Sequence, residues 1–160
     1  MAFIFKFGFL ISFLAFIWIL MEYLLGFHDA RLVEYHPYFT LFSLLIPIFL
    51  LQRALQTREN LMGNAFNFAD AMKTGVLISI ITGFFNLIFQ TIYQKIINPT
   101  YLEFMIDYAV SHKYAPNREK AAEYFNFNAY LIQGFIAAII GGIIISLIIT
   151  VILIRKKKNG

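Results

Sequence analysis

Four long apolar runs separated by polar links dominate the pattern of the chain. The first, FGFLISFLAFIWILMEYLLGF, extends from Phe7 to Phe27. At about 1.5 Å per residue it is long enough to cross a hydrocarbon core of about 30 Å. It is too long for a cleaved signal peptide and no small-x-small cleavage motif follows it, so it reads as a retained span. Trp18 and Tyr23 are its candidate interfacial anchors. The second run, YFTLFSLLIPIFLL, Tyr38 to Leu51, is short for a span, which needs about 20 residues. Begun at Pro37, a residue suited to a helix start, and continued to Leu55, it reaches that length if Arg53 snorkels to the interface. Pro47 removes one backbone donor and frees the Ser43 carbonyl, which predicts a kink.

The third run is TGVLISIITGFFNLIFQTIY, Thr74 to Tyr93, framed by Lys73 and Lys95. The fourth is AYLIQGFIAAIIGGIIISLIITVILI, Ala129 to Ile154, stopped by Arg155, Lys156, Lys157 and Lys158. The expected spans are therefore 7–27, 37–55, 74–93 and 129–154, in a single membrane domain covering 1–160. A polar turn and a short amphipathic approach link the second span to the third. The segment 94–128 lies between the last two. In it Pro99 starts a predicted helix with Leu102, Met105, Ile106, Ala109 and Val110 on one face and Glu103, Asp107 and Ser111 on the other. Pro116 ends that helix, and Asn117 caps a second one, NREKAAEYFNFN. No breaker stands between it and the fourth span, so a continuous helix is expected there.

Composition turns these runs into membrane spans. The chain is 60% hydrophobic, includes 19 Phe, and is only 14% charged, against about 25% charged in soluble domains. That is more apolar side chain than one small water-soluble core buries, so lipid must cover the excess. The expected fold class is an all-α membrane protein, a four-helix bundle with a helical extracytoplasmic segment between spans three and four. The absence of cysteine excludes disulfides, thiol nucleophiles, thiolate metal sites and palmitoylation. The net charge of +4 lies largely in the tail, where it acts as a topology signal. No groove-reading module accompanies it, and nucleic acid is not an expected partner.

Lys and Arg sort the two sides of the membrane. With four spans, Lys6, Arg53, Arg58, Lys73 and the tail fall on one side and outnumber Arg31, Lys95, Lys113, Arg118 and Lys120 on the other. Both termini should face the cytoplasm of a bacterial inner membrane. Without the second span the C-terminal assignment would stand and the N-terminal one would reverse.

Two small-residue rows suggest how the last spans meet. On the third span Gly75, Ser79 and Gly83 recur every fourth residue, beside Thr82, Asn86 and Gln90. On the fourth, Gly134, Ala138, Gly142, Ser146 and Thr150 do the same, with Ala137 and Gly141 beside them. Such rows let helix backbones approach closely in lipid. Gln90 and Gln133 lie at similar depth, so the expected packing joins them, with Asn86 bonded to a backbone carbonyl or hydroxyl deeper in the bundle. The fourth-span ladder would equally serve a homo-oligomer or contact with another membrane protein.

Candidate chemistry is sparse. Glu22, His28, Asp29, Glu34 and His36 sit in or near the first loop and include potential metal ligands. They match no zinc spacing and read as an interfacial polar loop; convergence of Glu22, His28 and His36 in space would reopen a third class, a membrane-embedded enzyme. His112, near Asp107 and Glu103, lies off their helix face, and an amphipathic surface helix explains all three. The basic tail reads as a stop-transfer anchor with some attraction for anionic lipid. No catalytic residue, no metal and no cofactor is assigned, and no ionisable residue occupies the core of the third or fourth span, which argues against an ion-coupled transporter.

One stretch carries a resemblance. FNFADAMKTGVLISIITGFF resembles the signature of a family of small four-span bacterial membrane proteins known only as a domain of unknown function. Phe68, Ala71, Lys73 and Gly75 match its Phe-Gly-x-Ala-x-Lys-x-Gly pattern, and Ala69 stands where Gly is usual. The family layout is similar across nearly the whole chain. The resemblance implies four spans and brings no activity or functional residue. The expected function is a non-enzymatic structural, interaction or accessory membrane protein; the alternative is a small transport or channel component using the Ser79–Asn86–Gln90 face.

Overall fold

The structure is a computed structural model that describes residues 1–159 and, for residues 157–159, the backbone alone. The Lys157 and Lys158 side chains of the tail lie outside the described residues. Among the described residues seven α-helices follow one another: α1 (Ala2–Leu25), α2 (His36–Thr40), α3 (Leu45–Met62), α4 (Phe68–Ile92), α5 (Tyr101–Ser111), α6 (Arg118–Tyr124) and α7 (Phe127–Asn159). Among the described residues there is no strand.

Four stretches are long and apolar enough to cross a membrane: Ala2–Leu25, Val33–Ala65, Phe68–Ile97 and Arg118–Lys156. This is the all-helical, four-span class that the apolar runs predict. The second run reaches spanning length because helix resumes before and after its apolar centre. Pro37 sits in the first turn of α2, where its missing N–H costs nothing. The predicted disturbance at Pro47 takes the form of a tightened 3-10 turn over Leu41–Leu44, which contains Ser43. Arg53 is exposed, with its guanidinium 5.2 Å from the Phe49 ring centroid.

α4 is the central helix. Its N-terminus is capped by Asn67, whose Oδ1 accepts the Asp70 N–H at 3.1 Å. α4 makes its largest interface with α7 and the next largest with α1. The Thr82 hydroxyl donates to Gly8 O and the Ser12 hydroxyl to Asn86 Oδ1, both across 74 residues, so α1 and α4 run parallel. Towards one end Ile11, Leu51, Leu55, Ala71, Ile78 and Leu153 form the apolar core. Many large side chains face outward, among them an unbroken row on α7: Ile132, Ile136, Ile140, Ile144, Ile148 and Ile152. In a bilayer this is lipid-facing surface.

Between the last two spans, α5 and α6 pack as a helical pair around Ile106, Ala109 and Ala121. The apolar stripe of α5 thus meets α6. The opposite stripe is ion-paired: Arg118 contacts both Glu103 and Asp107, all three exposed. His112 bonds Ser111 and the Tyr108 carbonyl instead of either acid. The expected continuity of α6 with the fourth span fails. The helix stops at Phe125, and Asn126 accepts the Ala129 N–H at 2.9 Å, capping α7 afresh. An Asn side chain competes for backbone donors in this way wherever a helix can start.

Candidate functional site

Two regions concentrate the polar and small residues of the spans. The first is the seam between α4 and α7. The helices run antiparallel, with Gly75 opposite Ser146 and Ser79 opposite Gly142. A Cβ on Gly75 would overlap the Ser146 side chain, and one on Gly142 would lie 2.6 Å from Ser79 Cβ. At Gly83 it would lie 2.9 Å from Phe135. The glycines are therefore required by backbone approach. The Ser79 hydroxyl donates back to the Gly75 carbonyl at 2.8 Å. The buried Ser146 and Thr150 hydroxyls find no hydrogen-bond partner among the described residues.

Beyond this contact the helices part around a cavity of about 280 Å³. Gly134, Ala138 and Gly141 line it together with Ser79, Thr82 and Asn86. Among the described residues no ionisable side chain lines it. Thr82 donates to Ile78 O at 3.0 Å, and Asn86 Oδ1 accepts the Ser12 hydroxyl at 2.6 Å. Asn86 thus bonds a hydroxyl, as expected, but one from α1. Sequence reasoning missed the Gly8 and Ser12 pair on that helix, although it repeats the four-residue spacing of the other small rows. Ser12→Ala is expected to cost about 0.6 kcal/mol, at most 1–2, read by unfolding in mixed micelles.

Gln90 and Gln133 do not bond to each other, contrary to expectation. Gln90 lines a small cavity beside the C-terminal end of α1. Gln133 is exposed and lines a larger pocket of about 770 Å³ beneath α5 and α6. Their depth agrees, but their directions differ.

The second region is that small cavity, about 210 Å³, at the end of the bundle where α1 finishes. It is built by a chain reversal. α1 ends at Gly26, which adopts φ 90° and ψ 18°, a left-handed conformation that glycine takes at little cost. Phe27 N–H then returns to Glu22 O at 3.0 Å. This folds His28 back over the last turn of α1, and the short α2 brings His36 to the same place. Glu22 is only 1% exposed and His28 6%. His28 Nε2 and His36 Nε2 each stand 3.5 Å from Glu22 Oε2 and 3.2 Å from one another. Glu22 Oε1 accepts the Trp18 indole N–H at 2.8 Å. His28 Nδ1 bonds the Tyr93 hydroxyl, which also accepts the Asn98 amide at 3.0 Å.

Tyr93 is buried and opens a π-helical turn over Tyr93–Ile97 that extends α4. Tyr101 and Tyr130 close the cavity, their hydroxyls 3.3 Å apart. Burial pushes the Tyr101 hydroxyl well above its ordinary range, so it stays neutral. Asp29 is outside the cluster, paired with Arg31 at 2.6 Å; that guanidinium holds its carboxyl below the usual range. Glu34 lines the larger pocket instead. Of the five polar residues near the first loop, the fold unites Glu22, His28 and His36.

A family model for proteins of unknown function, DUF4199, matches residues 6–155. The chain belongs to the DUF4199 family. The match covers both the seam and the cluster of Glu22, His28 and His36, so both belong to the DUF4199 region of the chain. No curated protein and no solved structure matches the chain.

Proposed function

We propose that this DUF4199 protein is a non-enzymatic structural or accessory subunit of a bacterial inner membrane, with both termini cytoplasmic. The single observation that supports this best is the close approach of α4 and α7 where Gly75 meets Ser146 and Gly142 meets Ser79. The neighbouring cavity has no ionisable lining residue with which to couple ions. Because the ladder Gly142–Ser146–Thr150 is buried within one chain, a homo-oligomer or a partner helix would use the isoleucine row of α7.

Reconstituted into sealed liposomes, the protein is expected to leave ion and small-solute flux at the level of empty vesicles. Photoreactive side chains at Ile140 and Ile148 are expected to give discrete protein adducts in native membranes. Flux that Gly141→Leu abolishes by filling the cavity would overturn the reading in favour of transport. A reporter fused ahead of Met1 is expected to read cytoplasmic; a periplasmic signal would remove the topology.

A further inference from the structure

We propose that Glu22 Oε2, His28 Nε2 and His36 Nε2 form a binding site for a zinc-class divalent cation at the outer end of the bundle. The three atoms stand 3.2, 3.5 and 3.5 Å apart. Zinc bonds imidazole nitrogen and carboxylate oxygen at about 2.0–2.1 Å, so a tetrahedron places neighbouring ligand atoms about 3.3 Å apart. The triangle has that edge. A cation about 2.05 Å from all three atoms would lie roughly 0.6 Å off their plane, with one side left for a fourth ligand. As hydrogen bonds the same contacts are poor, since 3.5 Å exceeds the ordinary N–H···O range. Two imidazoles with one carboxylate suit zinc and its neighbours better than magnesium or calcium, which select oxygen donors.

The surroundings fit a ligand set. Glu22 is held through its other oxygen by Trp18. His28 is held through its other nitrogen by Tyr93, itself fixed by Asn98. Metal-binding histidines and carboxylates are oriented by such outer hydrogen bonds. The three ligands come from the end of α1, the first loop and the start of α2, so a bound ion would fasten the reversal at Gly26. The fourth position faces the small cavity, where Thr40 and Gln90 offer polar atoms. His36 and Tyr130 line both this cavity and the larger pocket, which supplies a route in. This inference goes beyond the structural reading of the protein, and its failure would leave that reading intact.

The test uses the full-length protein in detergent, with any histidine tag removed and metal stripped by chelator, titrated with zinc chloride. One zinc per chain is expected to remain after gel filtration, by elemental analysis. Cobalt(II) is expected to give the intense visible bands of a four-coordinate ion. His36→Gln and Glu22→Gln should lose more affinity than the ten- to hundredfold typical of removing an outer hydrogen-bond partner, and Trp18→Phe about tenfold. Asp29→Asn, outside the cluster, should bind as the wild type does. No zinc retained at micromolar concentration, or retention unchanged in His36→Gln, would overturn the site. The wild-type cobalt spectrum requires no variant to fold, and a weak six-coordinate spectrum would overturn it equally.

Discussion

Alanine at Gly142 is expected to destabilise the protein, while alanine at the adjacent Gly141 stabilises it. The two glycines share a helix and a depth, so propensity favours alanine at both by about 0.4–1 kcal/mol. Only the surroundings differ. At Gly141 a Cβ meets nothing within 4 Å and enters the cavity. At Gly142 it meets the Ser79 side chain, with Cβ 2.6 Å from Cβ. Rotating the Ser79 hydroxyl does not relieve a contact between β-carbons, so α4 and α7 must move apart. Overpacking of this kind costs about 1–3 kcal/mol, which exceeds the propensity gain. Equilibrium unfolding in mixed micelles with increasing SDS reads both signs. Equal shifts for the two variants would mean that the seam is not closed at Gly142.

Glu22→Ala is the second large effect. It removes the acceptor for the Trp18 indole and the carboxylate facing both histidines, in a site where Glu22 is only 1% exposed. The one short hydrogen bond lost is that of the Trp18 indole, and a buried polar group left without a partner costs about 1–3 kcal/mol, so the expected loss is of that order. Glu22→Gln keeps an acceptor for Trp18 and should fall between the two. Measuring all three proteins in excess chelator isolates the hydrogen-bonding contribution from any metal. A Glu22→Ala protein as stable as the wild type would show that the cluster does not hold the outer end together.

The four spans were legible because a long apolar run needs no tertiary information: length against bilayer thickness decides it. The seam was legible for a similar reason, since small residues every fourth position leave few other uses for a membrane helix. The Gln90–Gln133 pairing failed on angle. Gln133 precedes Gly142 by nine residues, which at about 100° per residue places it half a turn away from the face that meets α4. Gln90 does share the Ser79 face. Depth along a helix follows from counting, whereas direction follows from which row the packing selects. Gly8 and Ser12 were hidden because bulky Phe residues surround them. Glu22, His28 and His36 were candidates from the sequence, but their meeting was not legible, because they share no helical period. They meet only through a left-handed glycine and a short helix, whose combined geometry no local spacing encodes.

The centrality of α4 also orders the making of the protein. Synthesis proceeds from the N-terminus, so α1 is in place to receive Asn86 through Ser12 as soon as α4 emerges. The Gly75–Ser79–Gly83 row has no such early companion. Its partners, Ser146 and Gly142, lie on α7, so the α4–α7 seam can close only after the other three spans have been made.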